Sequence, residues 1–282
     1  MARSRPDRCP GIVHPWPADD GGLVRIRVPG GRVALSALRA LAEVAATYGD
    51  GRVRVTGRAN LQVRAMPLAG DRLADEALDA LEATGLLPSR AHDRIRNVLA
   101  SPQTGYAGGR ADLRPVVTAL DAVLLGDEAL AGLPGRFLFT LDDGRGDLAE
   151  RHKDLGLVAL DAQTAQAPAS ARAGARWSRW PGPRTPSPAW PGTSWSPAAP
   201  APRRPGTWPS LPASLAPLRD PRPGADVRSE PLPFGAVPGG EHVPVGDDGL
   251  SSADLAAWRA ETVVVTPWHG VLIPEPLPEE TP

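Results

Sequence analysis

Cysteine is almost missing from this 282-residue chain, with Cys9 its single example. One thiol excludes an internal disulfide, and it excludes a four-cysteine zinc or iron–sulfur site built from this chain alone. Lysine is as scarce: Lys153 stands alone, and every other basic side chain apart from histidine is arginine. Together with abundant Ala, Gly and Pro, that bias reads as high-GC coding. No apolar run is long enough to span a bilayer, and residues 1–10 carry charge without the apolar core of a secretory signal. The expectation is a cytoplasmic protein without a membrane partner. A net charge of −1 supplies no bulk electrostatic motive for nucleic-acid binding either.

Acidic residues are absent between positions 162 and 219, where Pro, Ala, Arg, Ser and Trp dominate and no helical or strand period survives. Residues 162–231 therefore read as a disordered or polyproline-like connector. Five of the eight tryptophans fall there: Trp177, Trp180, Trp190, Trp195 and Trp208. A solvated linker seldom carries so many large apolar groups. The stretch is either a Pro/Trp docking segment or one translated out of its ancestral frame. The second reading is favoured, because shifted reading of GC-rich DNA yields such a mixture.

What is present is a duplication. A strand at 23–28, a Pro29-Gly30-Gly31 turn and a helix opening near Leu35 lead to the strand pair around Val53-Arg54-Val55-Thr56-Gly57-Arg58-Ala59-Asn60-Leu61-Gln62-Val63-Arg64. A strand at 242–245, a Gly246-Asp247-Asp248-Gly249 turn and a helix near Leu250-Ser251 lead to Val263-Val264-Val265-Thr266-Pro267-Trp268-His269-Gly270-Val271-Leu272. Two such units predict half-domains that pair in an antiparallel sheet about a pseudo-twofold axis. Helices are predicted over 33–48, 70–84 and 112–131, with further strands at 137–141 and 157–160, which makes the class α+β.

Only the first copy carries a polar cluster at its corner. If the strand stays regular, Arg58, Asn60, Gln62 and Arg64 project from one face, and Arg54 lies nearby. Arg94, Arg96 and Asn97 form a second group between apolar residues. Guanidinium forks bind carboxylates through two oxygens at once, so two such groups meeting at one cleft would hold a polycarboxylate. The plain alternative is a set of solvated strand arginines. His14, His92, His152, His242 and His269 show no metal-ligand spacing and read as surface or loop residues. Asp142-Asp143-Gly144-Arg145-Gly146-Asp147 lacks the full spacing of a calcium loop and reads as a turn. No metal site is expected.

Cys9-Pro10-Gly11, the Thr56-Gly57-Arg58-Ala59-Asn60-Leu61-Gln62 strand, Arg96-Asn97-Val98-Leu99-Ala100-Ser101-Pro102, and Pro134-Gly135-Arg136-Phe137-Leu138-Phe139 with the 142–147 loop together resemble precorrin-3B synthase of the nitrite/sulfite reductase superfamily. Thr266-Pro267-Trp268-His269-Gly270 resembles the second half of that family, with His269 where relatives have Arg. The resemblance implies ferredoxin-like half-domains at 1–68 and 232–274, a partial α/β tetrapyrrole-binding domain at 69–161, and a tail at 275–282. By position it implies that Arg58, Asn60, Gln62, Arg64, Arg96 and Asn97 contact the carboxylates of a precorrin-type tetrapyrrole. The family's reaction is oxygen-dependent hydroxylation and lactone formation on precorrin-3A in aerobic cobalamin biosynthesis, with a 4Fe–4S cluster. Its C-x5-C and C-x3-C cluster ligands have no counterpart up to Pro282. The expectation is thus an incomplete portion, inactive in redox chemistry unless a second polypeptide supplies the thiolates, or a non-catalytic tetrapyrrole-binding module.

Overall fold

The structure is a computed structural model, and it describes residues 9–151, 153–162, 165–166 and 227–276. Most of the Pro/Trp-rich stretch and the end of the tail lie outside the described residues.

The first unit runs β1 (Trp16–Ala18), β2 (Gly21–Ile26), β3 (Arg32–Ala34), α1 (Leu35–Tyr48), β4 (Arg54–Val55) and β5 (Leu61–Met66). Leu35, Leu38, Leu41, Ala42 and Ala45 recur at helical spacing along α1, and all are buried. Two short strands, β6 (Leu68–Ala69) and β7 (Arg72–Leu73), follow, then α2 (Asp75–Ala83). The helix expected from residue 70 therefore begins later. Gly70 at φ 71 turns a small hairpin there, and Asp75 and Glu76 supply the acidic first turn a helix start favours. The middle unit contains β8 (Val98–Ala100), α3 (Arg114–Gly126), β9 (Phe139–Asp142), β10 (Leu155–Ala159) and β11 (Ala165–Gln166). The last unit runs β12 (Gly235–Val237), β13 (Gly240–Pro244), α4 (Ser252–Ala256), β14 (Thr262–Thr266) and β15 (Gly270–Pro274).

The two similar units form separate antiparallel sheets, β1-β2-β5-β4 and β12-β13-β15-β14-β3, rather than one continuous sheet. They are joined by exchange. β3 leaves its own unit and pairs antiparallel with β14, Val33 opposite Val263, and the Leu35 amide donates to the Glu261 carbonyl at 2.9 Å. That bond satisfies one of the orphan donors at the start of α1, which has no side-chain cap. In return Leu250, just before α4, exchanges two backbone hydrogen bonds of 2.8 Å with Val53, just before β4. Gly31 (φ 71) makes the crossing possible, since a Cβ there would collide with the Val265 carbonyl. Arg39 on α1 adds hydrogen bonds to the Leu255 and Trp258 carbonyls at the end of α4.

β8, β9 and β10 run parallel, with β11 antiparallel at the edge. One face of this sheet packs with α3 through Val98, Phe139, Leu141, Leu157, Val117 and Leu124. Leu99 and Leu138 alternate to the other face and enter the core shared by both similar units, alongside Leu38, Leu61, Val63, Val263 and Leu255. Among the described residues no helix is long and apolar enough to cross a membrane.

Because one apolar cluster spans all three units, the fold should unfold as one. Leu38→Ala, at a position with 0% exposure, should lower the unfolding free energy by about 2–5 kcal/mol. Urea titrations followed by circular dichroism and by fluorescence should share a single midpoint in both proteins.

Candidate functional site

The corner between β4 and β5 is a three-residue loop, Gly57-Arg58-Ala59. Thr56 and Asn60 close it, with the Thr56 amide donating to the Asn60 carbonyl at 2.9 Å. The Thr56 hydroxyl accepts the amides of Arg58 (3.4 Å) and Asn60 (3.2 Å), and Ala59 takes φ 53. This is the turn-plus-left-handed-residue geometry of three-residue hairpins. The left-handed residue breaks strand alternation, so the four side chains expected on one face divide.

Asn60 turns inward and is 1% exposed. Its Oδ1 accepts the Val28 amide (3.2 Å) and its Nδ2 donates to Asn97 Oδ1 (3.0 Å). Asn97 Nδ2 in turn donates to the carbonyls of Gly135 (2.7 Å) and Arg94 (3.2 Å). Thus the two predicted segments do meet, through a buried carboxamide pair whose bonds are taken up within the chain. Arg58 reaches the adjacent carbonyl, with Nη1 donating to Arg136 O at 3.0 Å. Arg96 turns toward α3 instead and forms a two-pronged ion pair with Asp121 at 2.6 and 2.7 Å.

Leu61 and Val63 of β5 are buried, leaving Gln62 on the opposite face. Register sets Arg25 of β2 and Arg54 of β4 on either side of Gln62, and Arg25 Nη2 donates to Gln62 Oε1 at 3.2 Å. Arg54 pairs with Asp50 at 2.6 Å. Arg64, beside the irregularity where Ala65 takes φ 57, pairs with Asp20 at 3.1 Å in solvent. Arg25, Arg27 and Arg58 form no ion pair among the described residues. Arg27 is 3% exposed and donates to the carbonyls of Pro10 and Arg25. Burial, then the charge of Arg25, pushes its guanidinium down to about 10. Arg25 is also lowered, by burial first and with Arg58 acting in the same direction. Buried Nε atoms of Arg25 and Arg27 lack a hydrogen-bond partner. Arg25 and Arg58, without ion pairs and beside a glutamine amide, form a group that favours an anion, while Arg27 is buried and feels the charge of Asp93. Arg25 and Arg27 had no marking in the primary structure beyond strand alternation, and only the β2–β5 register sets Arg25 beside Gln62.

The corner between β14 and β15 is built alike: Thr266 opposes Gly270, and His269 takes φ 58 where Ala59 stands in the first copy. Trp268 occupies the place of Arg58. His242 corrects the surface reading of the histidines. Alternation along β13 buries it completely, with Nδ1 near the carbonyls of Leu232 and Pro233 and Nε2 at 2.9 Å from Thr266 Oγ1. His92 is buried too, 2.8 Å from Ser89 Oγ.

The 142–147 loop is a turn bound to itself. Asp142 accepts the amides of Gly144 and Gly146, Asp143 holds the Arg145 fork, and Asp147 accepts from Ser101 Oγ at 2.7 Å. Burial, then the charge of Asp142, pushes the Asp147 carboxyl up to about 7. Among the described residues no group of three or more His, Cys, Asp or Glu is placed to hold a metal ion. A 4Fe–4S cluster needs thiolates from several positions, and a chain whose sole cysteine is Cys9 does not fit one.

Two outcomes follow. Asn97→Ala strands the Asn60 amide and removes the shorter hydrogen bond to the Gly135 carbonyl, and should cost about 1–3 kcal/mol in urea titration. For Asp147, the raised folded-state value means that its stabilising neutral form is complete below the unfolded value and is lost as pH rises through about 7. The unfolding free energy of Asp147→Asn, from urea titration, should therefore exceed the parent's near pH 8 by on the order of a few kcal/mol, with the gap closing toward about pH 4.

Residues 17–70 match the nitrite/sulfite reductase ferredoxin-like half domain. Over 130 residues the chain is 32% identical to ferredoxin–nitrite reductase of Synechococcus elongatus, covering 44% of this chain and 25% of that protein. Over 81 residues it is 37% identical to a precorrin-3B synthase from a Sinorhizobium species, covering 28% of this chain and 18% of the relative. The matched stretches thus span a quarter or less of those relatives' lengths. The NirA protein of Mycobacterium tuberculosis superposes over 57% of this chain and 31% of its own, at 20% identity and a TM-score of 0.40. The chain is similar to members of the nitrite/sulfite reductase superfamily, precorrin-3B synthase among them, and residues 17–70 carry that superfamily's ferredoxin-like half domain.

Proposed function

We propose that this chain binds the carboxylates of a precorrin-type tetrapyrrole on the open face of its first sheet, as a precorrin-3B synthase-like protein. The observation that carries this reading is the pair Arg25 and Arg58, neither of which forms an ion pair among the described residues, with Arg25 bonded to Gln62 and Arg27 buried behind them. Arg54 and Arg64 extend the cationic row, and each would exchange its own surface aspartate for a ligand carboxylate. The Arg64–Asp20 pair is exposed and contributes little stability, so its exchange costs little, whereas the half-buried Arg54–Asp50 pair costs more to open. Asn60 and Asn97 act from behind, holding the corner and the Gly135 carbonyl in place. Arg96 would reach a carboxylate only by releasing Asp121, and its part in binding is the smaller for it.

Hydroxylation and lactone formation on precorrin-3A require electron transfer that Cys9 alone cannot support. The activity would belong to an assembly in which a second polypeptide contributes the cluster; by itself the chain is a binding module. Titration with uroporphyrin, followed by its absorbance, should give saturable binding that weakens with salt. Arg25→Ala and Arg58→Ala should each weaken it about tenfold, since a charge-assisted hydrogen bond is worth about 1.5–3 kcal/mol. Arg96→Ala should weaken it less. Affinity indifferent to both Arg25 and Arg58 would remove the reading.

A further inference from the structure

Arg151 follows the 142–147 loop in a stretch without regular secondary structure, and nothing in its sequence neighbourhood marks it. Its guanidinium nevertheless lies between the two matching corners. Nη2 donates to the Pro267 carbonyl at 3.1 Å and Nη1 donates, more weakly, to the Gly57 carbonyl at 3.4 Å. Gly57 and Pro267 are equivalent positions, each the first residue after the threonine of its loop. One planar fork therefore clasps the same carbonyl in both copies of the duplication, which a point charge matches less well. The guanidinium carbon also lies 6.0 Å from the centre of the Trp268 ring, within reach of a cation–π contact. The corners adjoin closely: a Cβ on Gly57 would sit 3.8 Å from His269 Nε2.

We propose that Arg151 is a positioning residue that locks the Arg58 corner and the Trp268–His269 corner together as two walls of one ligand cleft. The proposal rests on the tetrapyrrole reading for its ligand, but not for its geometry. Arg58 supplies a cationic wall. Trp268, half-buried, and His269, exposed, supply a ring-bearing wall at equivalent positions. Such a cleft suits a flat macrocycle with acidic side chains, which presents charge at its rim and an apolar face within it. Both terminal nitrogens of Arg151 are used on backbone carbonyls, so its contribution passes through the loops rather than through contact with the ligand. Arg151 is half-buried, and burial lowers its guanidinium, partly offset by Asp147.

The test uses the full chain with Arg151→Met and Arg151→Lys. In the ligand-free protein, amide hydrogen exchange of loops 56–60 and 266–270 should both accelerate in Arg151→Met, by about tenfold, with Arg151→Lys between it and the parent. Acceleration in neither loop, or in one only, overturns the proposal. Should the Met protein not fold, the Lys protein carries the same comparison. With uroporphyrin, Arg151→Met should weaken binding about tenfold while leaving the salt dependence unchanged, and Arg58→Ala combined with it should be little weaker than Arg58→Ala alone. A flattened salt dependence, or losses that simply add, would mean that Arg151 meets the ligand itself, against the proposal. If Arg58→Ala does not alter uroporphyrin affinity, the binding reading fails, and the exchange measurement still decides whether Arg151 couples the corners.

Discussion

Everything in this fold hangs on a reciprocal loan of backbone hydrogen bonds. Each of the two similar units sends the residues before its helix to the edge of the other's sheet: β3 to β14, and Leu250 to Val53. The loan covers the β14 edge with β3 and, through a single bridge, satisfies the amide and carbonyl of Val53 beside β4. It also aligns the units, since a slip of one residue would turn Val33 and Val263 out of the core. With the units aligned, the corners at 56–60 and 266–270 arrive side by side, and the middle unit can reach both.

The duplication is symmetric in backbone and asymmetric in chemistry. Both corners use a threonine, a three-residue loop and a left-handed last residue, which Ala59 and His269 adopt at a steric cost of about 1–2 kcal/mol. At the second loop position one corner has Arg58 and the other Trp268. The asymmetry extends along the strands. Arg25 and Arg54 flank Gln62 in the first unit, whereas in the second the buried His242 bonds to Thr266 and stiffens the corner from within. One copy has kept polar groups available on an open face while the other has turned its polar group to internal support.

Much of this was legible in the primary structure because it depends on local signals. The paired strands, the turns before each helix and the two corners follow from alternation, glycine placement and hairpin loop length. That the Asn60 and Asn97 segments lie together was an expectation of the resemblance, and the contact itself is a buried carboxamide pair. Partnerships across long sequence separations were not legible. Arg25 stands beside Gln62 only through β2–β5 register, Arg96 is occupied by Asp121 from α3, and Arg151 is placed by a loop without period. The left-handed Ala59 likewise defeated strand alternation, because alanine carries no sign of such a conformation. His242 was misplaced to the surface because one imidazole says nothing of which strand face it occupies.

The loaned strands have a genetic consequence. Because the units recognise each other through backbone bonds and a common core, their attachment does not require an intact covalent thread between residues 166 and 227. A polypeptide severed there would be expected to reassemble from its pieces. A gene divided at that point would still encode two products that share one core and one set of interlocking backbone bonds.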